Sequence, residues 1–193
     1  MTDGPFLWYL NRATGVVLLV LLTVSVVLGV LAMGGGRPGR GLPRFVSQSL
    51  HRNVALLSVV ALVVHVVSAV VDSYVDIRWW QALVPVGATY EPLWLGLGTV
   101  SLDLVAVIVL TSLLRSRLDH GSWRLVHLLA WLAWGLSVAH AVGIGTDLKS
   151  ASGLAVVPTV VCVAAVAVAL GVRLTPWARQ PRPAHPARLR RVA

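Results

Sequence analysis

Cysteine is nearly absent from this 193-residue sequence, so no disulfide can form within it and no thiolate cluster can hold a metal. The single thiol, Cys162, stands in an apolar run and reads as a small apolar side chain. Charge is also scarce, at 12% of residues, and negative charge scarcest, with seven acidic against 16 basic residues. A soluble domain of this size would carry far more. No glycine-rich dinucleotide fingerprint occurs, which excludes a nicotinamide site of that kind. A cleavable signal peptide is not expected either. The first apolar run is too long for a signal core, lacks a basic start and ends in glycines.

Apolar residues fill the space that charge leaves, at 57% of the chain, with a mean hydropathy of +0.82. About 20 apolar residues suffice for a helix to cross roughly 30 Å of hydrocarbon. Five such runs are legible, at about Leu7–Met33, Ser47–Val71, Leu93–Leu114, Trp123–Ile144 and Leu154–Val172. The expected fold is therefore an all-α integral membrane protein, a five-helix transmembrane bundle over residues 1–175. Residues 176–193 read as a basic Pro/Arg-rich cytoplasmic tail without fixed structure. Gly34 to Gly41 breaks the chain after the first run, and Trp79-Trp80 marks a surface-lying segment in the longest connection. Pro158 falls in the first turn of the last span, where a missing N–H costs little.

The net charge of +9 is not spread evenly. Four arginines lie between Arg37 and Arg52, three between Arg115 and Arg124, and six from Arg173 onward. With five spans these segments share one face, leaving Arg12, Arg78 and Lys149 for the other. The positive-inside rule then puts the N-terminus outside and the C-terminus in the cytoplasm of a multi-pass cell-membrane protein. The basic excess serves topology and contact with anionic membrane lipid, and no nucleic acid partner is expected.

Four of the six histidines form two matched pairs inside apolar runs: His51 and His65, 14 residues apart, and His127 and His140, 13 apart. Ionisable groups within a span are costly and raise a functional question by default. The second and fourth spans run parallel in this topology, so His51 matches His127 near the cytoplasmic side and His65 matches His140 near the outside. At 1.5 Å per residue the two levels lie about 20 Å apart. Interhelical hydrogen bonding alone would be the plainer reading of one such histidine. Four, paired by depth, point to axial ligation of two haem irons, the inner by His51 and His127 and the outer by His65 and His140. Zinc or copper fits less well, since neither level offers a third or fourth ligand. Helical phase brings His65 to about 40° from His51 but leaves His140 about 140° from His127. A kink or bulge at Gly135 is the expected remedy.

Other residues carry two readings each. Arg12, inside the outer boundary, can pair with outer haem propionates or with an acid, or snorkel to headgroups. Arg52 and Arg124 flank the inner ligands and can bind inner propionates, or simply mark the membrane edge. Asp103, mid-span, can pair with Arg12, stay protonated, or hold a ligating imidazole. Trp131 and Trp134 lie between the levels and can fill the space there, although bundle packing explains them too. His120 and His185 read as solvated surface.

The sequence resembles the ferric reductase-like transmembrane domain, shared by ferric reductases, NADPH oxidases and the haem subunit of bacterial methionine-sulfoxide reductase systems. The resemblance rests on the 14- and 13-residue histidine steps, on Asn11-Arg12-Ala13-Thr14-Gly15, and on Leu50-His51-Arg52-Asn53, and covers about residues 7–175. It implies two b-type haems, one per level, carrying electrons across a membrane, most simply a bacterial plasma membrane. With the sequence ending soon after the fifth span, the family's flavin and nicotinamide domain is not expected in this chain. The expected donor is therefore a separate flavoprotein or a quinol, with an external acceptor. Ala69 stands where NADPH oxidases carry a further histidine, so superoxide formation by their route is not expected. Two alternatives remain beside this reading: a quinol-linked haem subunit serving a separate reductase, and a non-haem transporter or scaffold using its His and Asp residues.

Overall fold

The computed structural model describes residues 6–33, 44–73, 75–145, 153 and 155–174. The expected break at Gly34–Gly41, the turn around Asp147 and Lys149, and the tail 176–193 lie outside them. Among the described residues the chain is all-helical and has no strand. The helices are α1 (Phe6–Met33), α2 (Arg44–Val71), α3 (Pro92–Leu113), α4 (His120–Leu128), α5 (Ala130–Ile144) and α6 (Val156–Leu174). Short 3₁₀ turns occupy Trp79–Ala82 and Arg115–Arg117.

Among the described residues four stretches are long and apolar enough to cross a membrane: α1, α2, α3 and the α4–α5 pair, from His120 to Ile144. The fifth expected span, α6, has a shorter apolar stretch, Val156–Val172. Its Pro158 does fall in the first turn. Such helices are otherwise built of Val, Leu and Ala, and backbone hydrogen bonds closed within each helix are what a hydrocarbon environment demands.

Side-chain exposure runs opposite to that of a soluble protein. Val60, Leu110 and Val157 are 59%, 58% and 69% exposed, while Thr23, Ser58, Ser68, Ser101 and Thr159 are buried beside Ala133 and Cys162. Lipid tails are as apolar as leucine, so helices gain nothing by hiding leucine from them. Close approach through small residues and hydrogen bonds between helices hold the bundle instead. α1 packs along α2 and also meets α5 and α6, and α3 packs along α5. Ser101 donates to the Ala133 carbonyl at 2.8 Å and lies 2.8 Å from the Ser137 hydroxyl, tying α3 to α5. Trp134 Nε1 donates to Thr23 at 2.9 Å, tying α5 to α1, so this tryptophan serves packing between the levels.

Two local features decide where the histidines point. The connection before α3 is anchored: Thr99 donates to the Gln81 carbonyl at 2.8 Å, which seats the Trp79–Ala82 turn on α3 and leaves Trp79 and Trp80 exposed. The second feature is a break at Leu129, which separates α4 from α5. There the Leu129 N–H donates to the Val126 carbonyl at 3.0 Å, a 3₁₀ contact. The expected kink at Gly135 is not where the helix changes. Gly135 lies inside continuous α5, and nothing lies within 4 Å of where its Cβ would be. A 3₁₀ residue turns about 120° rather than about 100°, so the tightening at Leu129 shifts His140 toward the face of His127 by roughly 20° per residue so wound.

Candidate functional site

The structure brings the four histidines together as two facing pairs. The ring centres of His51 and His127 are 6.0 Å apart, and those of His65 and His140 are 6.5 Å apart. The planes cross at 67° and 88°. Since 51 meets 127 and 65 meets 140, α2 runs in the same sense as α4–α5, and the pairs occupy two levels of the bundle.

Three of the imidazoles are held the same way. His65 Nδ1 lies 3.0 Å from the Asn11 carbonyl, His51 Nδ1 lies 3.0 Å from the Ser25 carbonyl, and His140 Nδ1 lies 2.8 Å from the Trp94 carbonyl. A carbonyl can only accept, so the proton sits on Nδ1 in each ring. In the neutral ring that leaves Nε2 with a bare lone pair, the form a metal ion takes.

A glycine faces each of these rings, and at two of the three positions the approach leaves no room for a side chain. Each accepting carbonyl lies four residues before a glycine that faces the same ring: Asn11 before Gly15, Ser25 before Gly29, Trp94 before Gly98. A Cβ on Gly15 would lie 3.0 Å from His65 Cε1, and one on Gly98 would lie 2.5 Å from His140 Nδ1. The Gly29 position is looser, 3.9 Å from His51 Cε1. Gly15 and Gly29 are 14 residues apart on α1, the same step that separates His51 from His65 on the antiparallel α2. This carbonyl-and-glycine cradle was available in the sequence as a matching spacing. Its one expected trace was the Asn11–Gly15 segment, with no role attached to it. Asn11 adds a clamp, its side-chain amide donating to the His65 carbonyl at 2.8 Å and to Ser68 at 3.3 Å.

His127 departs from the pattern. Fourteen residues after Trp94 and Gly98, α3 carries Ile108 and Ser112, with no glycine at the fourth place. His127 Nδ1 is buried and has no hydrogen-bond partner among the described residues, and its ring stacks instead on Trp123 at 4.9 Å and 23°.

The geometry suits one ion per level. Metal–nitrogen bonds of about 2.0 Å on either side of an ion, with each nitrogen about 1.1 Å from its ring centre, would set the ring centres roughly 6.2 Å apart. Both observed separations bracket that value. No group of three or more His, Cys, Asp or Glu gathers among the described residues, so each level offers two protein donors. An open apolar cleft of about 390 Å³ separates α2 from α3 between the levels, lined by Val59, Leu62, Val66, Leu102 and Val105 among others.

The supporting residues divide. The Arg12 guanidinium lies over the Trp8 ring at 4.5 Å. Arg52 and Arg124 are exposed next to His51 and three residues before His127. Asp103 is half-buried on α3 and makes no ion pair or hydrogen bond with a described residue, so it holds none of the imidazoles.

The family model described as "Domain of unknown function (DUF8596)" matches residues 6–147, a span that contains all four paired histidines, and the chain belongs to that family. No curated protein and no solved structure matches the chain.

Proposed function

We propose that this family member is a five-span membrane cytochrome b holding two haems, with its N-terminus outside and its C-terminus in the cytoplasm. His51 and His127 ligate the inner iron, and His65 and His140 the outer. Electrons pass from a cytoplasmic or membrane donor, a flavoprotein or quinol, to an external acceptor. One observation carries this reading: two facing imidazole pairs, at a separation suited to an ion on axis, with three Nδ1 groups committed to backbone carbonyls. Ordinary buried histidines making interhelical hydrogen bonds would use both nitrogens for protein. Here three Nδ1 groups are spent on backbone carbonyls, and each ring lies against the other imidazole of its level.

Bound haem would supply the one-electron iron couple. The chain's own residues orient the imidazoles, three of them through backbone carbonyls. Arg52 and Arg124 would serve inner propionates, and Arg12 outer ones, as charge-assisted donors. The arginine distribution supports the orientation.

Paired substitutions test the assignment. His65→Ala and His140→Ala should each remove the same haem and leave the other, as read by the redox difference spectrum. If the two variants lose different haems, or each loses both while folded, the pairing by level is wrong.

A further inference from the structure

One of the four imidazoles lacks the carbonyl that fixes the other three, and it is also the one joined to the protein surface by a run of rings. From the start of α4, His120 lies 5.8 Å from Trp123 at a tilt of 32°, and Trp123 lies 4.9 Å from His127 at 23°. The Arg115 guanidinium covers Trp123 at 4.4 Å from the ring centre. His120 is exposed, Trp123 is half-buried, and His127 faces His51. Spacings of three and four residues put all three rings on one side of the helix. Around the outer end stand the exposed arginines Arg115, Arg117 and Arg124. The local carboxylate, Asp119, is occupied in capping Ser122 at 3.0 Å.

We infer that the His120–Trp123–His127 ladder is the port through which electrons reach the inner histidine pair, and that its arginine rim docks an acidic electron-donor protein. This rests on the haem reading above. The rim's positive charge complements an acidic surface and would steer its approach. A rim serving only anionic headgroups would have no use for near-parallel rings leading inward to a buried histidine. Trp123 orients His127 by stacking, in the role that Asn11, Ser25 and Trp94 carbonyls fill elsewhere. With haem bound, His51 and His127 would hold the iron that takes one electron from the reduced donor.

The test uses the full-length, haem-loaded protein in lipid nanodiscs, with a reduced acidic flavodoxin as the probe donor and stopped-flow absorbance as the readout. Trp123→Phe should keep the wild-type rate, and Trp123→Leu should slow inner-haem reduction about tenfold or more with two haems still bound. Arg115→Glu combined with Arg117→Glu should slow it by a similar factor and flatten its dependence on salt. Reduction by dithionite should not change in the charge-reversed variant. Should Trp123→Leu lose the inner haem, the charge-reversed variant decides alone. Unchanged flavodoxin rates in that variant overturn the inference, including the case where only the response to anionic lipid changes. A colourless wild-type protein would instead defeat the haem reading itself, so the two failures are distinguishable.

Discussion

A methyl group added at Gly98 would lie 2.5 Å from His140 Nδ1, closer than real Cβ contacts come, whereas one at Gly29 would make ordinary contact with His51 at 3.9 Å. The three cradle glycines are therefore ranked by geometry. Gly98→Ala should displace the His140 ring from the Trp94 carbonyl and lose the outer haem, at an overpacking cost of about 1–3 kcal/mol. Gly15→Ala, at 3.0 Å, should weaken the same haem, and Gly29→Ala should be tolerated. Haem content per folded chain measures all three, and equal losses at the three sites would contradict the cradle. Gly135→Ala is the matched control. With open space at its Cβ it should leave haem content unchanged and stabilise α5 by about 0.5–1 kcal/mol. At this scale the sequence was informative about which histidines meet, because depth follows from residue count along rigid helices. It was silent on what holds them, because a carbonyl acceptor leaves no side-chain signature. Only the 14-residue echo of Gly15 and Gly29 against His51 and His65 records it.

Among the elements, α2 is one unbroken helix from Arg44 to Val71, and its partner is two, α4 and α5. The 13-residue step demanded a change of phase, and Gly135 was the residue whose chemistry suggested one. The change lies at Leu129, which carries no glycine or proline to mark it. It is set by packing of the two segments against α3 and by the local 3₁₀ contact. Inserting one alanine after Leu129 would turn His140 by about 100° relative to His127. Such a variant should retain the inner haem and lose the outer, as read by haem content and the difference spectrum. The start of α4 makes a separate, pH-dependent prediction. Hydrogen bonds from Ser122 hold the Asp119 carboxyl below its ordinary value of 3.8. The cap's contribution is thus complete above that value and is lost as pH falls through the lower folded one. Hydrogen exchange at the Ser122 amide should stay protected down to pH values below 3.8, and Asp119→Ala should remove that protection at neutral pH.

For the molecule as a whole, a largely Val and Leu surface, with Thr23, Ser58, Ser68, Ser101 and Thr159 buried alongside Leu19, Val30 and Ala133, fits lipid outside. Composition made that much legible from the start, and four helices of spanning length agree with it. The fifth span and the orientation rest on the arginines. A fluorescent protein fused to the C-terminus should therefore be bright, and alkaline phosphatase fused there inactive; the opposite pattern would invert the two haem levels. Asp103 was equally visible in the sequence, but its partners were not, since helix phase alone does not say what faces a mid-span carboxylate. The account stands or falls on the two histidine pairs. Quantifying haem in the purified, folded protein by the pyridine haemochrome method tests them most directly. Two b-type haems per chain are predicted, and a folded preparation with none would contradict the account.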